Sequence, residues 1–337
     1  MRSDKRPRAV TMADVAARAG VSRALVSIVF RGVPGAGPET RQRVMQAAEE
    51  LAYRPDQRAR LLGSNRSRTV GVVFGLHHEF HAEVVEALYR SVEPAGYDLA
   101  LGATAPTRGE SRAVQSLLDY RCEAIILIGP TLSRAAIEEL AERLPVVVVA
   151  RSLRSRAVDV VRTDDVAGAR IAVEHLAGLG HTSITHVDGG RAPGAAQRRR
   201  GYLAAMRGLG LDAAVEVVRG GLTEEDGERV AAQLLAATSA TAVTAFNDHC
   251  AAGLLSAARA RGVEVPGGLA LVGYDDSHIA GLNSVALTTI AQDSAILAAS
   301  ALEIAVSRAE GGADQPSPTE VVVPPRLVVR RTTATIG

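Results

Sequence analysis

This 337-residue chain contains no tryptophan and only two cysteines, and aromatic residues make up 3% of it. Each shortage closes something off. Without Trp, the strongest platform for stacking a ring is missing from any binding site. Cys122 and Cys250 stand far apart, lack the paired spacing of a metal site, and read as small apolar core residues. No apolar run approaches the ~18 residues a membrane helix needs. The basic N-terminus is not followed by the apolar stretch of a secretory signal, so the protein is expected in the cytoplasm and away from membranes. A nucleophile elbow, a Walker loop and a zinc-protease motif are all missing, and the glycines at 189–190 and 220–221 lack G-x-G-x-x-G spacing. Nothing points to turnover; neither an enzyme nor a cofactor is expected.

What is present is bulk and an uneven charge. Hydrophobic residues make up 47% of a chain longer than one core usually grows, so more than one domain is expected. Residues 1–68 hold 14 Lys and Arg against 6 Asp and Glu, and the remainder holds 24 against 31, which together leave the whole chain at +1. A small basic head on an acidic body is the distribution of a nucleic-acid-binding module joined to a regulatory domain.

The head carries a pattern to match. In T-M-A-D-V-A-A-R-A-G-V-S-R-A-L-V-S-I-V-F-R (11–31), Val15, Ala16 and Ala19 fall at helical spacing, Gly20 permits a tight turn, and Ser22 can cap a second helix over about 23–30. That is helix–turn–helix geometry, whose second helix enters the DNA major groove; an ordinary αα-hairpin would share the pattern. A third helix is expected from Pro38 to about Tyr53, ended by Pro55. Residues 1–10 read as a disordered basic arm, 11–55 as the DNA-binding head and 56–68 as a polar, Arg-rich hinge. Arg23 and Ala24, at the start of the second helix, can reach base edges: Arg23 bidentately to a guanine, Ala24 to a thymine methyl. Thr11, Ser22 and Ser27 are expected to face phosphates.

From Thr69 onward short β-branched runs alternate with helical stretches. The runs are 70–74, 98–101, 124–128, 145–149, 158–161, 184–187, 215–218, 242–246, 269–273 and 321–323. Fully apolar strands alternating with helices predict parallel sheets covered on both faces, here two doubly wound subdomains with a cleft between them. Ligands of such sheets bind beyond the strands' carboxyl ends. That rule selects His77, His78, Phe80 and His81 after the first run, Arg151 and Ser152 after the fourth, Asp188 and then Arg198 after the sixth, Asn247 and Asp248 after the eighth, and Tyr274, Asp275 and Asp276 after the ninth. Asp164 and Asp276 read as helix caps rather than ligand contacts. Arg199 and Arg200 read as solvated members of a charge run. His77 and His81 have an i,i+4 spacing that could hold an ion on a helix, but only Glu79 and Glu83 could complete a set, so no metal is expected.

The order and spacing of several segments resemble the lac repressor family of bacterial transcription regulators. They are T-M-A-D-V-A-A-R-A-G-V-S (11–22), P-E-T-R-Q-R-V (38–44), A-A-E-E-L-A-Y-R-P-D (47–56), V-V-R-T-D-D-V-A-G-A-R (160–170), H-L-A-G-L-G-H (175–181), F-N-D (246–248), L-V-G-Y-D-D (271–276) and L-T-T-I-A-Q-D (287–293). The resemblance implies a core like that of the periplasmic binding proteins, over 69–330. The chain should cross between subdomains near 161, 291 and 319, so that 292–318 returns to the first subdomain and 320–330 to the second. It further implies that D-Q-R-A-R-L-L (56–62) is a hinge that becomes helical on operator DNA, with Leu62 as a minor-groove wedge and Arg58 adding phosphate charge. Arg198, Asn247 and Asp275 match residues that hold effector hydroxyls, and Phe80 and His81 match first-subdomain pocket positions. The chain departs from the family's frequent pattern at Ile28, where an Arg often reads DNA, and at Arg31, where Asn is usual.

These readings converge on a repressor. It should bind near-palindromic double-stranded operator DNA as a homodimer, because so small a head reads few base pairs. A small molecule in the cleft, a sugar or sugar derivative, should switch it. A solute-binding protein of transport would have the same body but would need a secretory signal and no head.

Overall fold

The computed structural model describes residues 10–32, 34–53, 66–237, 240–311 and 317–336, and the chain forms two compact units, Met1–Ser67 and Arg68–Gly337. Among its described residues the first unit holds three helices, α1 (Met12–Ala19), α2 (Arg23–Arg31) and α3 (Pro38–Glu50). Local chemistry sets their ends. Thr11 and Asp14 form a capping box that opens α1. Gly20 closes it at φ +68°, a backbone state that side-chain-bearing residues adopt only at a cost. The Ser22 hydroxyl then accepts the Leu25 N–H at 3.2 Å to start α2. Val15, Ala16, Ala19, Val26, Val29, Val44, Ala47 and Ala48 form one small core, closed by the Phe30–Tyr53 ring pair at 5.7 Å. With Val15 and Val26 buried, α2 is free to turn its start outward: Ser22, Arg23 and Ala24 are exposed.

The second unit contains two six-stranded sheets. The first runs in the order β11-β5-β4-β3-β1-β2 and the second β12-β10-β9-β8-β6-β7. The first comprises β1 (Thr69–Gly75), β2 (Asp98–Thr104), β3 (Ala124–Ile128), β4 (Val146–Val149), β5 (Asp159–Thr163) and β11 (Glu320–Val323). The second comprises β6 (Ile184–Asp188), β7 (Glu216–Arg219), β8 (Ala242–Ala245), β9 (Ala270–Asp275), β10 (Thr288–Ala291) and β12 (Arg326–Val328). All pairings are parallel except β10 with β12. Both sheets place their first two strands in reversed order before the rest, so each has a switch point where a crevice opens beyond the strand ends.

Alternate residues of the central strands feed opposite faces. Ile126 and Ile128 of β3 pack with α4 (Glu79–Val92) and α12 (Ser294–Glu310), and Ile125 and Leu127 pack with α5 (Glu110–Asp119) and α6 (Arg134–Ala141). The second sheet is covered in the same way. On one face lie α7 (Asp165–Gly178) and α8 (Ala195–Gly208), and on the other α9 (Glu224–Ala237) and α10 (Asp248–Ala260), with the single turn α11 (His278–Gly281) following β9. Fully buried chains such as Leu88, Leu117 and Ile126 are each worth about 1.5–3 kcal/mol of burial. Both cysteines are buried and free.

Two features differ from the sequence reading. First, β10 and β12 were not among the expected strands. Thr288 and Thr289 make β10 look polar, yet both are fully buried, with the Thr289 hydroxyl on Asp248 and the Thr288 N–H on the Thr332 hydroxyl. Second, the last crossing falls after Val323, at Pro324-Pro325, and not near 319, because β11 extends the first sheet beside β5. Asp159 explains this. Its carboxylate takes a bidentate pair from Arg308 at 2.8 and 2.9 Å and also accepts the Thr319 N–H and hydroxyl, tying both α12 and β11 to β5.

Candidate functional site

In the first unit, the exposed start of α2 presents Ser22, Arg23 and Ala24 together, with Ser27 and Ile28 half-exposed one turn on. Arg23 has no hydrogen-bond or charge partner among the described residues. Thr11 is committed within its own helix, its hydroxyl donating to Asp14 at 2.6 Å. The Ile28 side chain packs toward the backbone at Gly35, covering part of it. The side chain of Arg31, and Arg58 and Leu62, lie outside the described residues.

In the second unit, a cavity of about 770 Å³ lies between the carboxyl ends of the two sheets, within the size range of small-molecule sites. Its walls carry Phe74, Phe80, Ile128, Pro193, Leu222 and Phe246, with a polar node of Arg198, Asp275 and Gln292. Arg198 is buried. Its Nε donates to Asp165 at 2.9 Å, one terminal nitrogen donates to the Phe246 carbonyl at 2.6 Å, and the other approaches Asp275 at 3.5 Å. The guanidinium lies 3.5 Å from the Tyr274 ring centroid and 4.7 Å from that of Phe246. Burial alone would lower its pKa, but the charges of Asp165 and Asp275 outweigh burial and raise it. Asp275 also accepts from Gln292 Nε2 at 2.7 Å. Burial pushes the Asp275 carboxyl up to about 6, against the opposing pull of Arg198 and Gln292.

The backbone is bent where the strands enter this cavity. Gly129, Ala150 and Asp275, which follow or end β3, β4 and β9, have φ of 53°, 58° and 112°. Ala150 and Asp275 lie in a region disfavoured for side-chain-bearing residues, at about 1–3 kcal/mol each. Gln292 and Arg198 hold Asp275 there. Gly129 is required by close approach as well as by φ: a Cβ would fall 2.6 Å from His81 Nε2. The other ring nitrogen of His81 accepts the Gly75 N–H at 3.0 Å. Burial, with a smaller contribution from His78, depresses its pKa to about 3, so the ring is neutral.

The cavity thus brings together His77, His78, Phe80, His81, Arg198, Asn247 and Asp275 of the residues singled out by sequence. Asn247 is largely committed to structure. Its oxygen caps α10 at Cys250 N and its amide donates to the Leu222 carbonyl. Arg151 does not line the cavity; its guanidinium donates to the carbonyls of Pro130 and Leu132 at 2.9 and 2.7 Å, and Ala150 faces the space instead. Asp164 caps α7 as expected, whereas Asp276 pairs with Arg330. Arg199 is exposed, as expected, and reaches back to pair with buried Asp188 at 3.0 Å. No cluster of three or more His, Cys, Asp or Glu among the described residues is placed to hold a metal.

Three contributors escaped sequence reasoning. Gln292 follows β10 as a strand-end residue and became visible only with that strand. Asp165 opens α7 just beyond the end of β5, next to Asp164, whose capping role drew the attention of the strand-end rule instead. His249 is the third: its Nδ1 lies 2.6 Å from Glu224 on α9 and its Nε2 2.9 Å from Glu79 on α4, so it bridges the two walls of the cavity.

Fold and site define a ligand-sensing core of the periplasmic-binding type, carried on the same chain as a helix–turn–helix head. The comparisons agree. Residues 11–56 match the profile of the bacterial regulatory proteins of the lacI family, and residues 173–333 that of the periplasmic binding protein-like domain. The chain is 31% identical to the HTH-type transcriptional regulator DegA of Bacillus subtilis (strain 168), over 97% of this chain and 99% of that one. The lac repressor dimer bound to operator and the anti-inducer ONPF matches with TM-score 0.85 at 26% identity, over 97% of this chain and 100% of that one. The complex of the transcriptional regulator CelR with cellobiose matches with TM-score 0.70 at 27% identity, over the same shares, 97% and 100%. The chain belongs to the lacI family: it is a DNA-binding transcriptional regulator with an effector-binding core. No helix among the described residues is long and apolar enough to cross a membrane.

Proposed function

We propose that this regulator is a repressor that binds a near-palindromic operator as a homodimer and is switched by a carbohydrate between its two sheets. The observation that carries this reading is the Arg198–Asp275–Gln292 node. A carboxylate held by two donors, on a backbone that is itself bent to present it, is a prearranged acceptor for neighbouring hydroxyls. The apolar walls of Phe74, Phe80 and Phe246 suit the carbon faces of a sugar ring. The CelR complex, with its cellobiose, supports the ligand class. In the head, Arg23 and Ala24 read bases, Ser22 and Ser27 position the module on phosphates together with the α1 N-terminus that Thr11 caps, and Ile28 and Arg31 set the inner-site preference. Arg58 and Leu62 act in the hinge, the latter as a wedge. His81, Asn247 and Phe80 shape the cavity.

The test has two arms. Selection of genomic fragments by the purified protein should return one family of near-palindromic sites. Thermal-shift screening of mono- and disaccharides should then identify a stabilising sugar, because a ligand at 100 times its Kd adds about 2.7 kcal/mol. That sugar should change operator affinity, and Asp275→Asn should abolish both the stabilisation and the change. Site selection without any responsive sugar would overturn the carbohydrate reading, and no site preference at all would overturn the repressor reading.

A further inference from the structure

A second concave site lies away from the cavity described above. It is a polar pocket of about 800 Å³ lined by the 152–156 loop after β4, by β5 and the approach to β11, by the first turn of α6, and by Arg200 of α8. Five guanidinium groups line it, those of Arg134, Arg154, Arg156, Arg162 and Arg200, against the carboxylates of Glu138 and Glu320. Both carboxylates are already engaged. Glu138 lies 3.5 Å from Arg134 and accepts the Ser155 hydroxyl at 2.7 Å, and Glu320 accepts from Arg162 at 2.6 Å. Arg154, Arg156 and Arg200 are left without an acidic partner among the described residues, and all three are exposed. Like charges gathered around a depression repel one another unless an anion joins them.

We propose that this pocket binds a small, multiply phosphorylated molecule. Guanidinium forks fit phosphoryl oxygens two at a time, and Ser152 offers a further donor at the same wall. No aromatic residue lines the pocket, so nothing there would stack a base; recognition is of phosphoryl charge and not of a nucleobase. Three arginines without an acidic partner carry more positive charge than one phosphoryl group offsets, which favours two or more phosphoryl groups over one. Arg200 belongs to the second sheet's helices and the other four arginines to the first sheet's side. A ligand joining them therefore ties the two subdomains together at a point remote from Asp275, and its binding is coupled, reciprocally, to the lobe arrangement that the central cavity senses.

Calorimetric titration of the full-length protein with inorganic pyrophosphate at low salt tests this directly. Pyrophosphate should bind at least about tenfold tighter than orthophosphate, the equivalent of one charge-assisted hydrogen bond or more. R156A/R200A should weaken it by about tenfold or more, and R156K/R200K should recover part of the loss, which a merely misfolded variant would not. Arg23→Ala in the head should leave pyrophosphate binding unchanged. Equal affinity for orthophosphate and pyrophosphate, no binding at millimolar pyrophosphate, or a loss that follows Arg23 rather than Arg156 and Arg200 would each overturn the assignment. Because Asp275 belongs only to the carbohydrate reading, failure of one proposal leaves the other standing.

Discussion

The two units use arginine in opposite ways. In the head, Arg23 stands exposed at the start of α2, and its five N–H donors have no partner among the described residues. In the core, Arg198 is enclosed. Its donors go to Asp165, the Phe246 carbonyl and Asp275, and its plane lies against Tyr274. An exposed Arg keeps its donors for a partner that arrives from solution. A buried one cannot meet the ligand freely, so it works by holding acceptors in place. Arg23 thus keeps its donors for the DNA contact proposed for it, whereas Arg198 spends its own inside the fold.

Removing each residue should separate these roles. Arg198→Ala leaves Asp165 and Asp275 buried without their countercharge, and breaking a buried pair in this way costs about 3–5 kcal/mol. Denaturant unfolding should show that loss, and effector response should vanish with it. Arg198→Lys should not restore stability, since an ammonium can neither fork between Asp165 and the Phe246 carbonyl nor lie flat on Tyr274. Near-native stability of both variants would break the comparison. Arg23→Ala should leave unfolding within about 0.5 kcal/mol of the parent but cost about 1–3 kcal/mol in discrimination between specific and random DNA. Competition binding at fixed salt measures this, and equal weakening on both DNAs would reduce Arg23 to a phosphate contact.

The same contrast explains what could be read without a structure. The head was legible to within a few residues because its signals are local: Thr11, Gly20, Ser22 and Pro38 each act on their own turn. The central strands were legible because both their faces are apolar. β10 was not, because its threonines are satisfied by partners far away in sequence, Asp248 and Thr332. The edge strand β12, three residues long, carries too little pattern to show. The cavity followed the same division. Strand-end logic found Asp275, His81 and Asn247, but it also returned Arg151, whose side chain turns back onto the 130–132 loop. It could not find Gln292 without β10. Nor could it find Asp165, whose role depends on an arginine 33 positions further along the chain.

Asp275 offers a prediction in which stability and binding move in opposite directions. Its folded pKa, about 6, lies above the ordinary carboxylate value. The folded state therefore holds the proton more tightly than the unfolded chain does. The stability this group contributes is complete below pH ~4 and is lost as pH rises through about 6. Ligand hydroxyls need the ionised acceptor, so effector affinity should instead rise over that interval, by about tenfold between pH 5 and 7. Titrations at the two pH values check this, and Asp275→Asn should flatten the dependence. An affinity indifferent to pH in the parent would remove Asp275 from the set of hydroxyl acceptors.

The smallest effect concerns the bridge across the cavity. His249 sits between Glu224 on its own side and Glu79 on the other, with His78 and Asp275 also bearing on its charge. Burial works to lower its pKa, but the hydrogen bonds and charges of Glu224 and Glu79 together outweigh burial and raise it. A raised folded pKa means that the bridge is fully formed below the usual imidazole value, ~6.5, and is lost as pH climbs through the higher folded one. Glu83 complicates the same range, since burial and the charges of Glu79 and Asp275 lift it to about 7. The bridge must therefore be isolated by mutation and not by pH alone. His249 and Glu79 are each about a quarter exposed, so solvent screens the pair, and its removal should lower Tm by only about 1–2 °C at pH 6. The decisive feature is non-additivity. At pH 6 His249→Gln, which also releases Glu224, should lose more than Glu79→Gln, the double variant should lose no more than His249→Gln alone, and the differences should fade at high pH, where the imidazole is neutral. Additive losses that persist at high pH would mean that the two residues stabilise their own helices separately, with no tie between them across the cavity.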